Sequence, residues 1–152
     1  MKRRDKENYY LDIAQTVVER GTCLRRNFGA IIVKNDQIIS TGYSGAPRGR
    51  RNCCDLGYCL REKMNIPRGE RYELCRSVHA EANAITKVAK SANNCDGSTL
   101  YITAAPCIEC SKLIIQAGIR RVVYCDEYRS EEGLDLLRKV GIECVQIDDI
   151  GA

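Results

Sequence analysis

Segments patterned as helices and as strands alternate from residue 79 to residue 147, and no other feature of the chain restricts its fold as much. Apolar residues at helical spacing predict helices over 79–90, 107–117 and 130–140, the last two stopped by Gly118 and Gly141. Short apolar runs predict strands at 98–103, 121–125 and 143–147. Alternation at this pace implies crossover connections and a mostly parallel half-sheet. Upstream, Tyr10, Ile13, Ala14, Val17 and Val18 recur at helical spacing before Gly21. Residues 29–33 and 37–41 flank an Asn35-Asp36 turn as a hairpin. The expected class is therefore α/β, an antiparallel hairpin joined to parallel strands. With no repeat or linker in 152 residues, one domain over 1–152 is expected.

Residues 42–76 break this regularity. They are rich in Gly, Arg and Cys and lack a period, apart from a helical turn at 60–64. A loop this long in a compact domain is functional or metal-braced, which marks 46–76 as a Cys-rich insertion. The basic start Met1-Lys2-Arg3-Arg4 leads into no apolar segment, and no apolar run approaches the ~18 residues of a membrane span. A soluble, cytoplasmic protein without a membrane partner is expected. In a reducing compartment its ten cysteines read as metal ligands or small buried hydrophobes rather than disulfides. A net charge of +4 does not favour nucleic acid as a partner. Its arginines nevertheless crowd at Arg25 and Arg26, at Arg48, Arg50 and Arg51, and at Arg68, Arg71 and Arg76. Each alone reads as solvated loop surface, while the clustering suits a small anionic substrate.

Pro106-Cys107-Ile108-Glu109-Cys110 puts two thiols on one face at the start of a helix, where the amide dipoles favour thiolates. Alone, such a pair is equally a redox motif or chance. The chain's single histidine, however, opens the preceding helix in His79-Ala80-Glu81. Both helices follow parallel-type crossovers, so their N-termini belong on the same edge of the sheet. His79, Cys107 and Cys110 are three ligands of types zinc accepts, leaving the fourth tetrahedral position to water, the count of a catalytic site. Glu81, two residues from His79, does not share its helical face and suits proton handling beside the metal. The plain alternatives are a core histidine and an exposed helical glutamate.

This pairing of H-x-E with P-C-x-x-C is the signature of zinc deaminases. The chain resembles the deoxycytidylate (dCMP) deaminases of the cytidine deaminase superfamily. Beyond the two zinc motifs, the resemblance is carried by 23–30, 41–49 and 118–124, and it extends from about Tyr10 to Ile147. It implies a three-layer α/β/α fold around a five-stranded mixed sheet. It also implies hydrolysis of dCMP to dUMP for pyrimidine deoxynucleotide supply, activation by dCTP, inhibition by dTTP, and assembly into homo-oligomers, usually hexamers. Substrate contacts are implied for Arg26 and Asn27, near the phosphate, for Ala80, and for Tyr128, closing over the substrate. Ser44 stands where the family turn usually reads Gly-Tyr-Asn-Gly, and its hydroxyl has a shorter reach.

Cysteines at both ends and in the middle of the insertion suit a second, structural zinc, held by a set drawn from Cys23, Cys53, Cys59 and Cys75. Some family members carry such an ion. Cys54 rivals Cys53, and buried or loosely exposed thiols are the alternative. Cys95, Cys125 and Cys144 read as core hydrophobes. Two other readings stay open. A tRNA adenosine deaminase looks similar at both zinc motifs but lacks the Cys- and Arg-rich segment. A non-catalytic zinc module would have no use for Glu81.

Overall fold

The computed structural model describes residues 2–128 and 130–147. Helix α1 (Lys6–Val17) begins where the Asp5 carboxylate accepts a hydrogen bond from the Asn8 amide at 3.1 Å. That cap lies upstream of the apolar pattern, so the helix starts four residues before the expected Tyr10. Strands β1 (Gly29–Lys34) and β2 (Gln37–Tyr43) form the expected hairpin. Its turn residues Asn35 and Asp36 have φ of 51° and 59°, a conformation their short polar side chains tolerate.

The insertion contains two single-turn helices, α2 (Cys53–Leu56) and α3 (Leu60–Lys63). After it come α4 (Ala80–Ala89), β3 (Thr99–Ala104), α5 (Ile108–Ala117), β4 (Arg121–Asp126), α6 (Glu132–Lys139) and β5 (Glu143–Gln146). The sheet runs β2-β1-β3-β4-β5, antiparallel across β2, β1 and β3 and parallel from β3 to β5. One face carries α4, α5 and α6 over Ile32, Leu100, Ile102 and Val122. The other carries α1 over Ile31, Tyr101 and Val123. This is the three-layer α/β/α architecture with a five-stranded mixed sheet. The expected domain span of 1–152 includes Met1, Arg129 and 148–152, which lie outside the described residues. Of the cysteines read as core, Cys95 is buried and Cys144 packs partly against the core, while Cys125 is half-buried at the end of β4. Among the described residues no helix is long and apolar enough to cross a membrane.

What positions the functional edge is the contact between β2 and α4. Ser40 Oγ donates to the Ala84 carbonyl at 2.7 Å, and Asn83 Nδ2 donates to the Tyr43 carbonyl at 2.8 Å. A Cβ at Gly42 would lie 2.2 Å from the Ala80 carbonyl oxygen and 2.6 Å from the Ala84 nitrogen, so only glycine lets the helix approach this closely. Gly118 ends α5 in the left-handed conformation, φ 85°, as its stop signal requires. Gly42→Ala is expected to destabilise the protein by about 1–3 kcal/mol, because a backbone neighbour cannot rotate away. Chemical denaturation measures this, and an unchanged midpoint would show that α4 is not seated on Gly42.

Candidate active site

His79 and Cys107 are not the first residues of their helices but the caps that precede them. Capping places each side chain beyond the helix end, where it can face the other. The chain leading to His79 is held by a two-way bridge, Gly45 donating to Val78 at 3.2 Å and Val78 to Gly45 at 2.7 Å. The chain leading to Cys107 is held by Ala105, whose amide donates to Asp126 at 2.9 Å, and by Ser111 Oγ, donating to the Cys107 carbonyl at 2.9 Å.

These supports bring His79 Nδ1 to 3.3 Å from Cys110 Sγ and 3.5 Å from Cys107 Sγ. All three donor atoms lie within 4.8 Å of one another, which no other described group of three or more potential ligands achieves. Zinc–sulfur and zinc–nitrogen bonds in tetrahedral geometry put such donors about 3.6 Å apart, so the residues fit zinc in both type and spacing. Without a metal, Cys110 hydrogen-bonds Cys107 and, with help from His79, holds the Cys107 thiol down to about 4. The same bond, reinforced by burial, pushes the Cys110 thiol up, so the two sulfurs share a proton that a cation would replace. The bond to Cys107 raises the His79 imidazole against the opposing effect of its burial.

Glu81 is 5 % exposed and lines the same cavity, which has a volume of about 280 Å³. Burial pushes its carboxyl up to about 7, with the His79 charge acting in the opposite direction. A carboxyl at this position can exchange protons near neutrality, as a general acid–base group must.

The other expected site residues divide between cavity and scaffold. Arg26, Ser44 and Tyr128 line the cavity, whereas Asn27 and Ala80 do not. Arg26 is half-exposed, pairs with Asp126 at 3.3 Å and lies over the Phe28 ring. Ser44 is buried and its hydroxyl accepts from the Phe28 amide at 3.3 Å. Both ends of the Asn27 carboxamide are bound to the Cys23 backbone, at 2.8 and 2.9 Å, so it shapes the turn. Ala80 is fully buried against β2. Of the arginines expected near an anion, Arg25 and Arg68 also line the cavity, while Arg48 is exposed elsewhere.

Cys23, Cys53, Cys59 and Cys75 all line the cavity, and the other three thiols act on Cys53, which burial raises first. No three of them approach one another as closely as His79, Cys107 and Cys110 do. Cys53 points inward and its rival Cys54 is exposed. Two cavity residues escaped the sequence reading. Tyr72 stands edge-on to His79, 5.5 Å between centroids, and its hydroxyl accepts from Tyr128. Arg61 is buried, with its guanidinium over the Tyr72 ring. Nothing local distinguishes Arg61 from the chain's exposed arginines.

The family model for the cytidine and deoxycytidylate deaminase zinc-binding region matches residues 4–126. The deoxycytidylate deaminase of Enterobacteria phage T4 is 35% identical, the match covering 93% of this chain and 90% of that protein. That of Mycobacterium phage D29 is 39% identical over 84% of this chain and 99% of its own length. A crystal structure of dCMP deaminase from the cyanophage S-TIM5, in complex with dCMP and dUMP, superimposes with a TM-score of 0.80. That structure is 35% identical and covers 97% of this chain and 100% of its own.

The raised Glu81 carboxyl has a measurable consequence for the metal-free protein. A folded-state value above the ordinary 4.5 favours folding where the group is protonated, and that contribution is lost as pH rises through about 7. Glu81→Gln, neutral at every pH, is expected to match the chelated wild type near about pH 5 and exceed its stability by on the order of 3 kcal/mol near about pH 8. Urea titrations at the two values test this, and identical pH dependence would show that Glu81 is not held in an apolar setting.

Proposed function

The chain belongs to the cytidine and deoxycytidylate deaminase family, and on that premise we propose that it hydrolyses the exocyclic amine of dCMP to give dUMP and ammonia. The observation that carries this reading is a buried carboxylate, Glu81, in one cavity with three donors that fit zinc. His79, Cys107 and Cys110 would hold zinc, which would supply the Lewis acidity that activates a water. Glu81 takes a proton from that water and delivers it to N3 of the pyrimidine. Once the oxygen has joined C4, Glu81 takes the remaining proton of the new hydroxyl and passes it to the amine as the C4–N bond breaks, so that the C4 carbonyl forms and ammonia leaves. Tyr72, packed on His79 and hydrogen-bonded to Tyr128, limits the access of other water to the site.

The monophosphate is favoured because the cavity is lined by several arginines and the relatives named above are deoxycytidylate deaminases. The same reading extends to this chain a cytoplasmic place in pyrimidine deoxynucleotide supply, a single domain over 1–152, and a homo-oligomer, in the family usually a hexamer. It also extends control by dCTP and dTTP, with Ser44 in the turn. Substrate contacts through Arg26, Ser44 and Tyr128, which line the cavity, belong to it too, whereas Asn27 and Ala80 serve the scaffold.

Ammonia release from dCMP, dCTP, deoxycytidine and single-stranded nucleic acid tests the assignment. Charge-assisted phosphate contacts are worth roughly 1.5–3 kcal/mol each, so deoxycytidine should be poorer than dCMP by about 10- to 100-fold or more. Equal efficiency on the nucleoside would leave only the superfamily chemistry standing. Glu81→Ala in the same assay should lose several orders of magnitude in turnover while keeping the catalytic zinc. Loss of that zinc would make Glu81 a ligand instead.

A second zinc held by Cys23, Cys53, Cys59 and Cys75 is part of the same proposal, supported by the four thiols facing one cavity. Metal analysis of chelator-free protein should find about two zinc per chain, four thiolates closing a structural site. One zinc per chain, together with a Cys59→Ser, Cys75→Ser variant that melts like wild type, would remove it.

A further inference from the structure

Arg61 is 6 % exposed, a burial that arginine seldom reaches without a partner. Its Nε donates to the Glu70 carbonyl at 3.2 Å, and its guanidinium carbon lies 4.5 Å from the Tyr72 ring centroid. Among the described residues no carboxylate pairs with it. Glu62, the next residue, is turned to Arg25 at 2.9 Å. Arg26, the arginine expected near the phosphate, is paired with Asp126 at 3.3 Å. The Tyr72 face and one carbonyl leave the remaining guanidinium N–H groups for something else in the cavity that Arg61 lines. A buried guanidinium without a counter-charge is costly, and an anionic ligand would offset that cost.

The position of the missing anion follows from Tyr72. Its ring packs against both the Arg61 guanidinium, at 4.5 Å, and the His79 imidazole, at 5.5 Å. Arg61 is thus one tyrosine ring away from the zinc donors, and its charge is felt at both His79 and Tyr128. In a pyrimidine nucleotide one sugar of similar breadth separates the base from the 5′-phosphate. We propose that Arg61 is the specificity-determining residue for a 5′-monophosphate, its guanidinium fork receiving the phosphate while the base lies at His79 and Glu81. This rests on the deaminase reading above. It makes the insertion, through α3, the part of the chain that distinguishes nucleotide from nucleoside.

The test compares kcat/KM for dCMP and deoxycytidine in zinc-loaded wild type, Arg61→Gln and Arg61→Lys. Losing a bidentate charge-assisted contact should lower dCMP efficiency in Arg61→Gln by roughly 10- to 100-fold, mainly through KM. Deoxycytidine efficiency should stay within about 2-fold, so the preference collapses. Arg61→Lys, which keeps the charge but not the fork, should fall between. Inorganic phosphate should inhibit deoxycytidine turnover by wild type and much less by Arg61→Gln. Equal losses on both substrates would make Arg61 a packing residue and overturn the proposal, as would undiminished phosphate inhibition of the variant. If Arg61→Gln does not fold, Arg61→Lys decides: a KM rise for dCMP alone supports the assignment, and a rise for both substrates ends it. A wild type with no preference for dCMP would instead refute the monophosphate reading itself.

Discussion

Two helix N-termini must present a nitrogen and two sulfurs within a zinc ion's reach, and most of the architecture serves that distance. The donors sit 3.3 and 3.5 Å apart across the gap between α4 and α5. Separations of that size tolerate little error, because coordination bonds are short and directional. The parallel pairing of β3 and β4 sets where α5 begins, and the seating of α4 on β2 sets where His79 stands. Placing both ligands at caps rather than inside helices leaves their side chains free to face each other. The helix dipole then favours the thiolate form on the Cys107 side.

The cavity carries groups that work against folding. A carboxyl raised to about 7 and an arginine without a carboxylate partner both lose hydration in the same space. Such groups destabilise the bare protein, and the sheet offsets them. Its two faces bury Leu11, Ile31, Ile32, Leu100, Ile102, Ile114 and Leu137 almost completely. Each such side chain contributes roughly 1.5–3 kcal/mol. A metal among the donors and an anion beside Arg61 would relieve much of the remaining electrostatic cost, which couples stability to occupancy.

Two parts of the chain divide the work. The sheet and its long helices hold His79, Glu81, Cys107 and Cys110, the groups to which the proposed deamination is assigned. The insertion, whose helices are single turns, brings Arg61, Tyr72 and the three thiols of Cys53, Cys59 and Cys75 to the cavity wall. Segments so short cannot order themselves by propensity. Their order comes from the hairpin-end bridge at Gly45 and Val78, from the Arg25–Glu62 pair and from packing of Arg61 on Tyr72.

The sequence by itself determined the class of fold and the chemistry. Apolar periodicity and glycine stops marked every long element, to within a few residues, because burial of one face imposes that pattern whatever the neighbours are. The His79, Cys107 and Cys110 cluster was legible because metal binding allows few residue types and helical spacing fixes which of them can meet, and Glu81 was legible from its place two residues from His79. The start of α1 was missed by four residues, since a polar first turn capped by Asp5 carries no apolar signal. Only the tertiary structure decided the roles of Asn27 and Arg61. Asn27 binds the Cys23 backbone rather than lining the cavity, and Arg61, alone among the described arginines, is buried, against Tyr72. Both follow from how an aperiodic loop folds back on the sheet, and contacts between residues far apart in sequence leave no local pattern to read.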